Sequence, residues 1–207
     1  MKQVTILDYG MGNIKSLFNA LKFIGMSPKL YSENDDIKTN VCIIPGVGAF
    51  NHALKLLNEK KISDKVKSYS KSGENLLIGI CLGMQVFFEK SDENIDTIGL
   101  GIVEGNVVKV SDNKFDKLPN VGWKTTHTKK NNFFPILEQF NKEKFYYIHS
   151  YACQPKNKSD NIALSYFNNT SFCSIVANKP NIIGMQFHPE KSSKVGLALL
   201  ENIIKKF

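Results

Sequence analysis

The sequence contains no arginine: all 27 of its basic residues are lysine, and with 19 acidic residues they give a formal net charge of +8. Proteins that read nucleic-acid bases commonly use the planar fork of arginine, so the charge favours a solvated lysine surface and no nucleic-acid partner. Cysteine is also scarce, because Cys42, Cys81, Cys153 and Cys173 form no C-x-x-C pair. Four cysteines in a chain of this length exclude a disulfide scaffold, and we expect reduced thiols of which at most one or two take part in chemistry.

Long hydrophobic runs are missing as well. No apolar run approaches the roughly 20 residues of a membrane helix, and Asp8 interrupts the start before a signal-peptide core could form. With 42% apolar and 22% charged residues, the composition excludes a disordered chain. The sequence shows no repeat, linker or low-complexity tract. We therefore expect a cytoplasmic protein without a membrane partner, folded as one domain over residues 1–207.

The first half of the sequence alternates short apolar runs with segments of helical periodicity, a pattern typical of βα units around a parallel sheet. Apolar residues from Ile14 to Ile24 recur at helical spacing, and Gly25 should end that helix. Each strand that follows a helix should run parallel to the one before it. The predicted strands of this half cover residues 4–7, 29–31, 41–44 and 76–80.

From about Leu100 onward the pattern changes to successive β-like segments, which usually pair as antiparallel ribbons. An amphipathic helix near residues 197–204 follows them. Together the two halves predict an α/β fold with a central, mostly parallel sheet flanked by helices, and with antiparallel β additions in the second half. The predicted strands of this half cover residues 102–110, 145–150, 162–167, 172–176 and 182–187.

Residues 79–83, Gly-Ile-Cys-Leu-Gly, lie where a predicted buried strand passes directly into a helix that should begin at Leu82. Such a tight turn lifts the side chain between the glycines clear of the sheet, as in the nucleophile elbow of hydrolases. The amides and the positive dipole end of the helix favour a thiolate and can donate to an oxyanion beside it. Cys81 is thus a candidate nucleophile, and the alternative is a buried structural cysteine.

Residues 186–190, Gln-Phe-His-Pro-Glu, end the last predicted strand. A nucleophilic thiol needs a base, and the base needs a group that orients it. If the extended backbone continues through Pro189, His188 and Glu190 point to the same side. Glu190 can then accept a hydrogen bond from one imidazole nitrogen while the other faces the sulfur. The alternative for His188 is a capped loop histidine, and His149 is a candidate supporting residue.

A third segment, Pro-Gly-Val-Gly at residues 45–48, directly follows the strand predicted at residues 41–44. A peptide flanked by glycines can adopt backbone angles closed to other residues and bring its N–H against a ligand. The alternative is an ordinary tight turn between a strand and a helix.

Three other kinds of site are poorly supported. Residues 10–15 read Gly-Met-Gly-Asn-Ile-Lys, with lysine where a dinucleotide-binding turn has its third glycine. A zinc site of Cys81, His188 and Glu190 has acceptable ligand types but lacks the clustered spacing of structural zinc sites. The phosphate-binding pattern G-x-x-x-x-G-K-[ST] occurs nowhere in the sequence.

In order and content, the segments at residues 45–48, 79–85 and 186–192 resemble the class I (triad) glutamine amidotransferases, and this resemblance covers essentially the whole chain. Within this family the sequence resembles the glutaminase subunits of imidazole glycerol phosphate synthases. The narrower resemblance depends on Leu-Asp-Tyr-Gly-Met-Gly-Asn and on four later segments. These segments cover residues 7–13, 45–48, 104–108, 121–123 and 146–151.

The resemblance implies a reaction and a set of roles. Cys81 would be the nucleophile, His188 the base and then the acid, and Glu190 the orienting carboxylate. The backbone amides of Val47 and Leu82 would form the oxyanion hole. L-Glutamine would be converted to glutamate and ammonia through a glutamyl thioester, with no metal and no organic cofactor. The positions expected to bind glutamine are Gly48, Gln85, Glu93, Ser150 and Tyr151.

The resemblance also implies a partner, a (β/α)8 cyclase or synthase subunit that forms a heterodimer with this chain. Ammonia would pass into that subunit without release to solvent, for use in histidine biosynthesis. The residues expected at the interface are Met11, Asn13, Trp123 and Lys191. In the alternative interpretation Trp123 is a core aromatic residue and Lys191 a solvated loop lysine.

One segment departs from the family pattern. Where the family commonly has Pro-His-Met-Gly-Trp-Asn, residues 119–124 read Pro-Asn-Val-Gly-Trp-Lys. The triad and the glycine loop are unaffected, so the departure concerns the acceptor of the ammonia. One alternative is therefore the glutaminase subunit of a paralogous synthase that amidinates a cell-surface sugar. A second alternative, from another class, is a catalytically silent regulatory module with the same fold.

Overall fold

The computed structural model of the protein describes residues 1–31 and 36–207. In chain order its strands are β1 (Gln3–Ile6), β2 (Ser27–Leu30), β3 (Val41–Ile44), β4 (Leu76–Ile80), β5 (Lys90–Ser91), β6 (Asn94–Ile98), β7 (Gly105–Lys109), β8 (Asn120–Thr125), β9 (His127–Thr128), β10 (Lys144–His149), β11 (Tyr151–Pro155), β12 (Asn161–Phe167), β13 (Thr170–Lys179) and β14 (Ile182–Met185). The α-helices are α1 (Ile14–Phe23), α2 (Phe50–Glu59), α3 (Ile62–Lys71), α4 (Leu82–Gln85) and α5 (Ser193–Lys206).

The central sheet has the strand order β2-β1-β3-β4-β14-β13-β12-β9. The first five of these strands run parallel to one another, and the last three continue the sheet with antiparallel pairing. The expected mostly parallel sheet with antiparallel additions is therefore confirmed. β14 was expected to pair antiparallel like the other strands of the second half, and it does so only with β13. Its pairing with β4 is parallel, so β14 belongs to the parallel part of the sheet.

Both faces of the parallel strands are covered, as their nearly continuous apolar sequences require. Val41 and Ile43 of β3 pack on the side of α1 and α5. Cys42 and Ile44 pack on the side of α2 and α3. The helix α1 ends where expected, because Gly25 takes a φ of +77° just beyond it, a conformation that favours glycine at a helix end.

The second half differs more from the prediction. A separate ribbon pairs β8 with β10, and a four-stranded sheet has the order β11-β7-β5-β6. β8 was not predicted, because its sequence Asn-Val-Gly-Trp-Lys-Thr mixes polar residues with a glycine. The strand predicted at residues 145–150 ends at His149, and β11 then begins at Tyr151 in the other sheet.

The parallel strands β3, β4 and β14 are neighbours in the sheet. Because parallel strands end at the same edge, the segments that follow them are brought together there. These segments are the Pro-Gly-Val-Gly loop, Cys81 and residues 186–190. Within the described ranges, no helix is long and apolar enough to cross a membrane.

Candidate active site

Cys81 occupies the predicted elbow. It follows β4 directly with φ 54° and ψ −109°, a backbone conformation that is uncommon for any residue other than glycine. Its N–H donates to the carbonyl of Met185 in β14 at 2.7 Å, and its carbonyl accepts from the N–H of Gln85 at 3.1 Å. The position of Cys81 is thus fixed between β14 on one side and the short helix α4 on the other.

The two glycines of the elbow are needed for close packing. A Cβ at Gly83 would overlap the carbonyl oxygen of Ile44 in β3, and a Cβ at Gly79 would lie 2.6 Å from the carbonyl oxygen of Gly83. Real Cβ atoms do not approach backbone oxygen so closely. Glycine at both positions therefore lets α4 lie directly against the ends of β3 and β4.

His188 and Glu190 form a buried pair. The Nδ1 atom of His188 lies 2.9 Å from Oε1 of Glu190, and the two side chains are 2% and 4% exposed. The contact between the two side chains was predicted for an extended backbone through Pro189, and that backbone conformation is wrong. Residues Pro189–Lys191 form a turn of 3₁₀ helix, which suits the fixed φ of proline at a first helical position. The turn itself brings the carboxylate back to the ring.

The charges around His188 favour its protonated form. Burial lowers the pKa of the ring, but interactions with the Cys81 side chain and the Glu190 carboxylate outweigh burial and raise the pKa of His188 to about 10. Because Nδ1 is engaged by Glu190, Nε2 is the ring nitrogen left for the sulfur, and it has no other hydrogen-bond partner among the described residues. Near neutral pH this arrangement can hold an imidazolium beside the sulfur.

Cys81 opens into a cavity of about 420 Å³, within the usual range for small-molecule sites. The structure brings all seven predicted oxyanion-hole and glutamine-binding positions to this cavity, together with one predicted interface residue. They are Val47, Gly48, Leu82, Gln85, Glu93, Ser150, Tyr151 and Lys191, and the remaining wall consists of Pro119, Ile148 and His149.

Two of the predicted binding side chains are held in place by hydrogen bonds. Glu93 accepts a hydrogen bond from the N–H of Phe50 at 2.7 Å, at the start of α2. Gln85 is 5% exposed and donates to the carbonyl of Tyr151 at 2.9 Å. Both side chains therefore present fixed polar groups at the cavity.

The Pro-Gly-Val-Gly loop packs against the segment that follows β1. The hydroxyl of Tyr9 donates to the carbonyl of Pro45 at 2.9 Å. Gly48 has a φ of +112°, and a Cβ there would lie only 2.7 Å from the terminal methyl of Met11. Met11 is accordingly 9% exposed, so of the two early residues predicted at the interface only Asn13 is exposed. The side chain of Asn13 caps α1 through the N–H of Ser16.

Two further polar residues, His149 and Gln186, lie at the site, although the sequence motifs predicted no catalytic or substrate-binding role for them. His149 is buried, donates from Nδ1 to the carbonyl of Tyr151 at 2.9 Å and accepts at Nε2 from the amide of Asn120 at 2.9 Å. Burial, and then the nearby charges of His188 and Lys124, lower the pKa of His149 to about 4. Gln186 is fully buried, and its amide nitrogen lies 3.6 Å from Sγ of Cys81.

The β8–β10 ribbon carries an exposed apolar surface beside the cavity, which we call the ribbon patch: Val121, Trp123, Tyr146 and Ile148. In the ribbon Trp123 lies opposite Tyr146 and Val121 opposite Ile148, so the four side chains share one face. Trp123 is 48% exposed, so its interpretation as a core aromatic residue is wrong. Ile148 belongs to both the patch and the cavity wall, which makes the two surfaces continuous.

A larger cavity of about 1110 Å³ lies between β7 and β11 on one side and β12 and β13 on the other. None of the predicted site residues lines it. Cys153 and Cys173 do line it, and burial raises the pKa of both thiols well above the ordinary value. A buried thiol held in its neutral form is a packing side chain, so these two cysteines are not nucleophile candidates.

Residues 5–207 match the family described as glutamine amidotransferase class-I. Among curated relatives, the imidazole glycerol phosphate synthase subunit HisH of Listeria innocua is 38% identical over 203 residues, which cover 96% of this chain and 93% of the relative. The subunit of the same name from Caldanaerobacter subterraneus is 39% identical, with 96% of each chain covered. The one from Methanosarcina barkeri is 35% identical, with 99% of this chain and 98% of the relative covered.

Solved structures with the same fold are more distant in sequence. A structure of PurLQS from Thermotoga maritima aligns with a TM-score of 0.77 at 18% identity, over 99% of this chain and 98% of that one. A crystal structure of a glutamine amidotransferase aligns with a TM-score of 0.75 at 18% identity, over 99% of both chains. At this level of identity the alignments establish the fold alone.

Proposed function

The chain belongs to the class-I glutamine amidotransferase family, and from this premise we propose that it is the glutaminase subunit of an imidazole glycerol phosphate synthase. It hydrolyses L-glutamine and supplies the ammonia to a (β/α)8 synthase subunit in histidine biosynthesis. The main support for the chemistry is the position of Cys81 at the wall of the 420 Å³ cavity, together with the buried His188–Glu190 pair.

In the first half of the proposed reaction, the Cys81 thiolate attacks the side-chain amide carbon of glutamine. The carbonyl π electrons move to oxygen, and the resulting oxyanion accepts hydrogen bonds from the N–H groups of Val47 and Leu82. His188 then transfers its Nε2 proton to the departing nitrogen, the C–N bond breaks, and ammonia and a glutamyl thioester are formed. The raised pKa of His188 suits this role, because the ring carries the proton that the leaving group needs.

In the second half, neutral His188 takes a proton from water, and the hydroxide that forms attacks the thioester carbon. The same two amides stabilise the second oxyanion. The C–S bond breaks, the new γ-carboxyl group loses its proton to solvent, glutamate leaves, and the thiolate–imidazolium pair is restored. Throughout, Glu190 holds the ring through Nδ1, so that Nε2 stays directed at the sulfur.

We assign glutamine binding to Gly48, Gln85, Glu93, Ser150 and Tyr151, all of which line the cavity. The substrate has an ammonium group and a carboxylate besides its amide. The Glu93 carboxylate suits the ammonium group. The NH₂ group of Gln85 is engaged by the Tyr151 carbonyl and the Gln186 side-chain oxygen, so Gln85 can offer glutamine its own side-chain oxygen as an acceptor.

The proposed partner covers the ribbon patch, with Asn13, Trp123 and Lys191 at the contact and Met11 acting through the loop it supports. Its docking would close the mouth of the cavity and give ammonia a protected route. Such a route has a chemical reason, because ammonia released to neutral water is mostly protonated and loses its nucleophilicity. The family match over residues 5–207 supports a single domain for the whole chain.

A second acceptor is supported by one observation. The segment at residues 119–124, which departs from the family pattern, contains all but the last residue of β8 and supplies Val121 and Trp123 to the ribbon patch. An altered docking strand suits a different partner, such as a paralogous synthase that amidinates a cell-surface sugar. The triad chemistry is the same in both cases.

Replacing the proposed nucleophile tests the chemistry. In the complex with the synthase subunit, Cys81→Ala should lower glutamate formation by more than about 10,000-fold, as loss of a triad nucleophile does elsewhere. Product formation from added ammonium salts should persist. Cys173→Ala is the matched control, since it removes another buried thiol, and it should keep glutaminase activity. A Cys81→Ala complex that still hydrolysed glutamine would show that another group is the nucleophile.

The acceptor is tested by mixing the chain with its synthase subunit and measuring glutamate with and without the ribulosyl aminoimidazole carboxamide nucleotide. Stimulation by this nucleotide is expected for the histidine pathway. Stimulation only by a sugar substrate with a different synthase would favour the paralogue instead. If no synthase elicited glutamate formation, the chain would be a silent regulatory module.

A further inference from the structure

Gln186 contacts the sulfur of the proposed nucleophile, and its role goes beyond the triad. It follows β14 directly, its N–H donates to the carbonyl of Ser174 in β13 at 2.9 Å, and its side chain is fully buried. The amide nitrogen of this side chain lies 3.6 Å from Sγ of Cys81, within hydrogen-bond reach for sulfur. Gln186 does not line the cavity, so its contact is with the enzyme's own sulfur and not with a bound substrate.

The orientation of the Gln186 amide is fixed by two neighbours. The carbonyl of Tyr151 can only accept, so the Gln85 group 2.9 Å from it is the NH₂ group. The second hydrogen of that NH₂ is directed at the side-chain oxygen of Gln186, 3.2 Å away. With its oxygen engaged as an acceptor, Gln186 must present its own NH₂ group to the sulfur. The Tyr151 carbonyl in β11 thus orients the amide of Gln85, which in turn orients Gln186 so that its N–H group faces Cys81.

A second polar contact of the sulfur has the opposite preference. The carbonyl of Ile148 lies 3.8 Å from Sγ and can only accept, so it favours the protonated thiol. An amide N–H can donate to a thiolate, and hydrogen bonds to ionised groups are stronger than those between neutral groups. Gln186 therefore favours the ionised sulfur.

We infer that Gln186 is a positioning residue that donates its side-chain N–H to the Cys81 thiolate, with its orientation fixed by Gln85 and the Tyr151 carbonyl. The inference deepens the proposed function, since it concerns the same nucleophile. It predicts that removing the N–H alone, with the shape of the side chain kept, makes the sulfur harder to ionise and slows the chemical step without changing glutamine binding.

The titratable groups around the sulfur come from several elements. Tyr9 after β1, Cys153 on β11 and His188 after β14 interact with Cys81 directly. Glu190 and His149 face His188. Glu93 and Lys191 line the cavity. Substitution of Gln186 leaves all of them in place. A change in the pH dependence of Cys81 reactivity in a Gln186 variant would therefore report on Gln186 itself.

The experiment is the rate of alkylation of Cys81 by iodoacetamide, followed on the Cys81 peptide by mass spectrometry from about pH 5 to about pH 10. Gln186→Met keeps the length of the side chain and removes the donor, and its alkylation midpoint should rise by about one pH unit, the size expected for a hydrogen bond to a charged group. Gln186→Glu places an acceptor beside the sulfur and should raise the midpoint further. In glutamine hydrolysis with the synthase subunit, Gln186→Met should lower kcat about tenfold and leave KM unchanged.

Asn181→Leu is the matched control, because it also replaces a buried amide by an apolar side chain of similar shape. The Asn181 amide donates to the carbonyls of Ser70 and Asn75, away from the sulfur, so its alkylation midpoint should equal that of the wild type even if the protein is less stable. Midpoints of Gln186→Met and Gln186→Glu that matched the wild type would overturn the inference. The assay needs no glutamine, so it distinguishes failure of this inference from failure of the proposed function.

If the Gln186 variants do not fold, the wild-type protein decides the question. In ¹⁵N-labelled protein, one of the two side-chain amide protons of Gln186 should move downfield as the sulfur ionises, since it then donates to a stronger acceptor. Amide protons that stayed in place through the alkylation midpoint would overturn the inference.

Discussion

At the residue scale, the site contains two buried histidines whose pKa values are shifted in opposite directions. Burial lowers the pKa of both rings, but only His188 has a carboxylate and a thiol to reverse the effect, which brings its pKa to about 10. His149 meets a backbone carbonyl and the Asn120 amide instead, and its pKa falls to about 4. Near neutral pH His188 is therefore charged and His149 neutral. This difference suits His188 to its proposed role as an acid and leaves His149 as a neutral residue of the cavity wall.

The neutral state of His149 predicts a pH dependence of stability. In the unfolded chain His149 binds a proton below about pH 6.5, but in the folded protein only below about pH 4, so the free energy of unfolding should decrease as the pH falls between these values. One proton corresponds to a slope of about 1.4 kcal/mol per pH unit. In His149→Gln this part of the slope should be absent when urea unfolding is measured at several pH values.

His52→Gln is the control for that measurement, because His52 is exposed on α2. Its slope should equal that of the wild type. If His149→Gln kept the full wild-type slope, the ring would not be neutral in the folded protein.

At the scale of elements, the junction between β4 and α4 depends on contact between backbones. Because a Cβ at Gly83 would overlap the carbonyl oxygen of Ile44, Gly83→Ala should force β3 and α4 apart. We expect it to lower the free energy of unfolding by about 3 kcal/mol or more, at the upper end of overpacking costs. It should also slow alkylation of Cys81, since the elbow would be displaced. Urea unfolding and iodoacetamide kinetics measure the two effects.

Gly101→Ala is the control that distinguishes the cost of steric crowding at Gly83 from the cost of backbone strain. Gly101 has a φ of +63° but open space where a Cβ would lie, so alanine there should cost only the roughly 1 kcal/mol of a left-handed residue and leave alkylation unchanged. Equal costs at the two glycines would mean that the close approach of α4 to β3 does not hold the junction.

Some elements could be predicted from sequence and others could not, for physical reasons. β3, β4 and the elbow were predictable because a strand buried on both faces is a continuous apolar run and glycines flank the cysteine. β8 was not, because its sequence Asn-Val-Gly-Trp-Lys-Thr mixes polar residues with a glycine, whereas its partner β10 is rich in aromatic residues. The His188–Glu190 contact was expected for the wrong backbone, since sequence spacing does not distinguish an extended segment from one 3₁₀ turn. The role of Gln186 depends on amide orientation, which only the packed structure determines.

At the scale of the whole molecule, the site and the ribbon patch lie side by side. Ile148 belongs to both surfaces, and its carbonyl also contacts the sulfur. Asn120, the first residue of β8, is connected through His149, the Tyr151 carbonyl and the two glutamines to Cys81. A partner that covers the patch would therefore act on the cavity mouth and on the hydrogen bonds behind it.

The last prediction concerns docking on that patch. Trp123 is half exposed and makes a T-shaped contact with the ring of Tyr146, as expected of an aromatic residue that anchors an interface. Trp123→Ala should raise the Kd for the proposed (β/α)8 synthase partner by about 30-fold or more in calorimetric titrations, the effect of losing about 2 kcal/mol at a hot spot. Phe23→Ala is the control, because Phe23 is 80% exposed but lies at the end of α1 remote from the strand ends that form the site. It should leave the Kd unchanged. Weaker binding of the Phe23 variant, together with unchanged binding of the Trp123 variant, would move the docking surface to the opposite edge of the sheet.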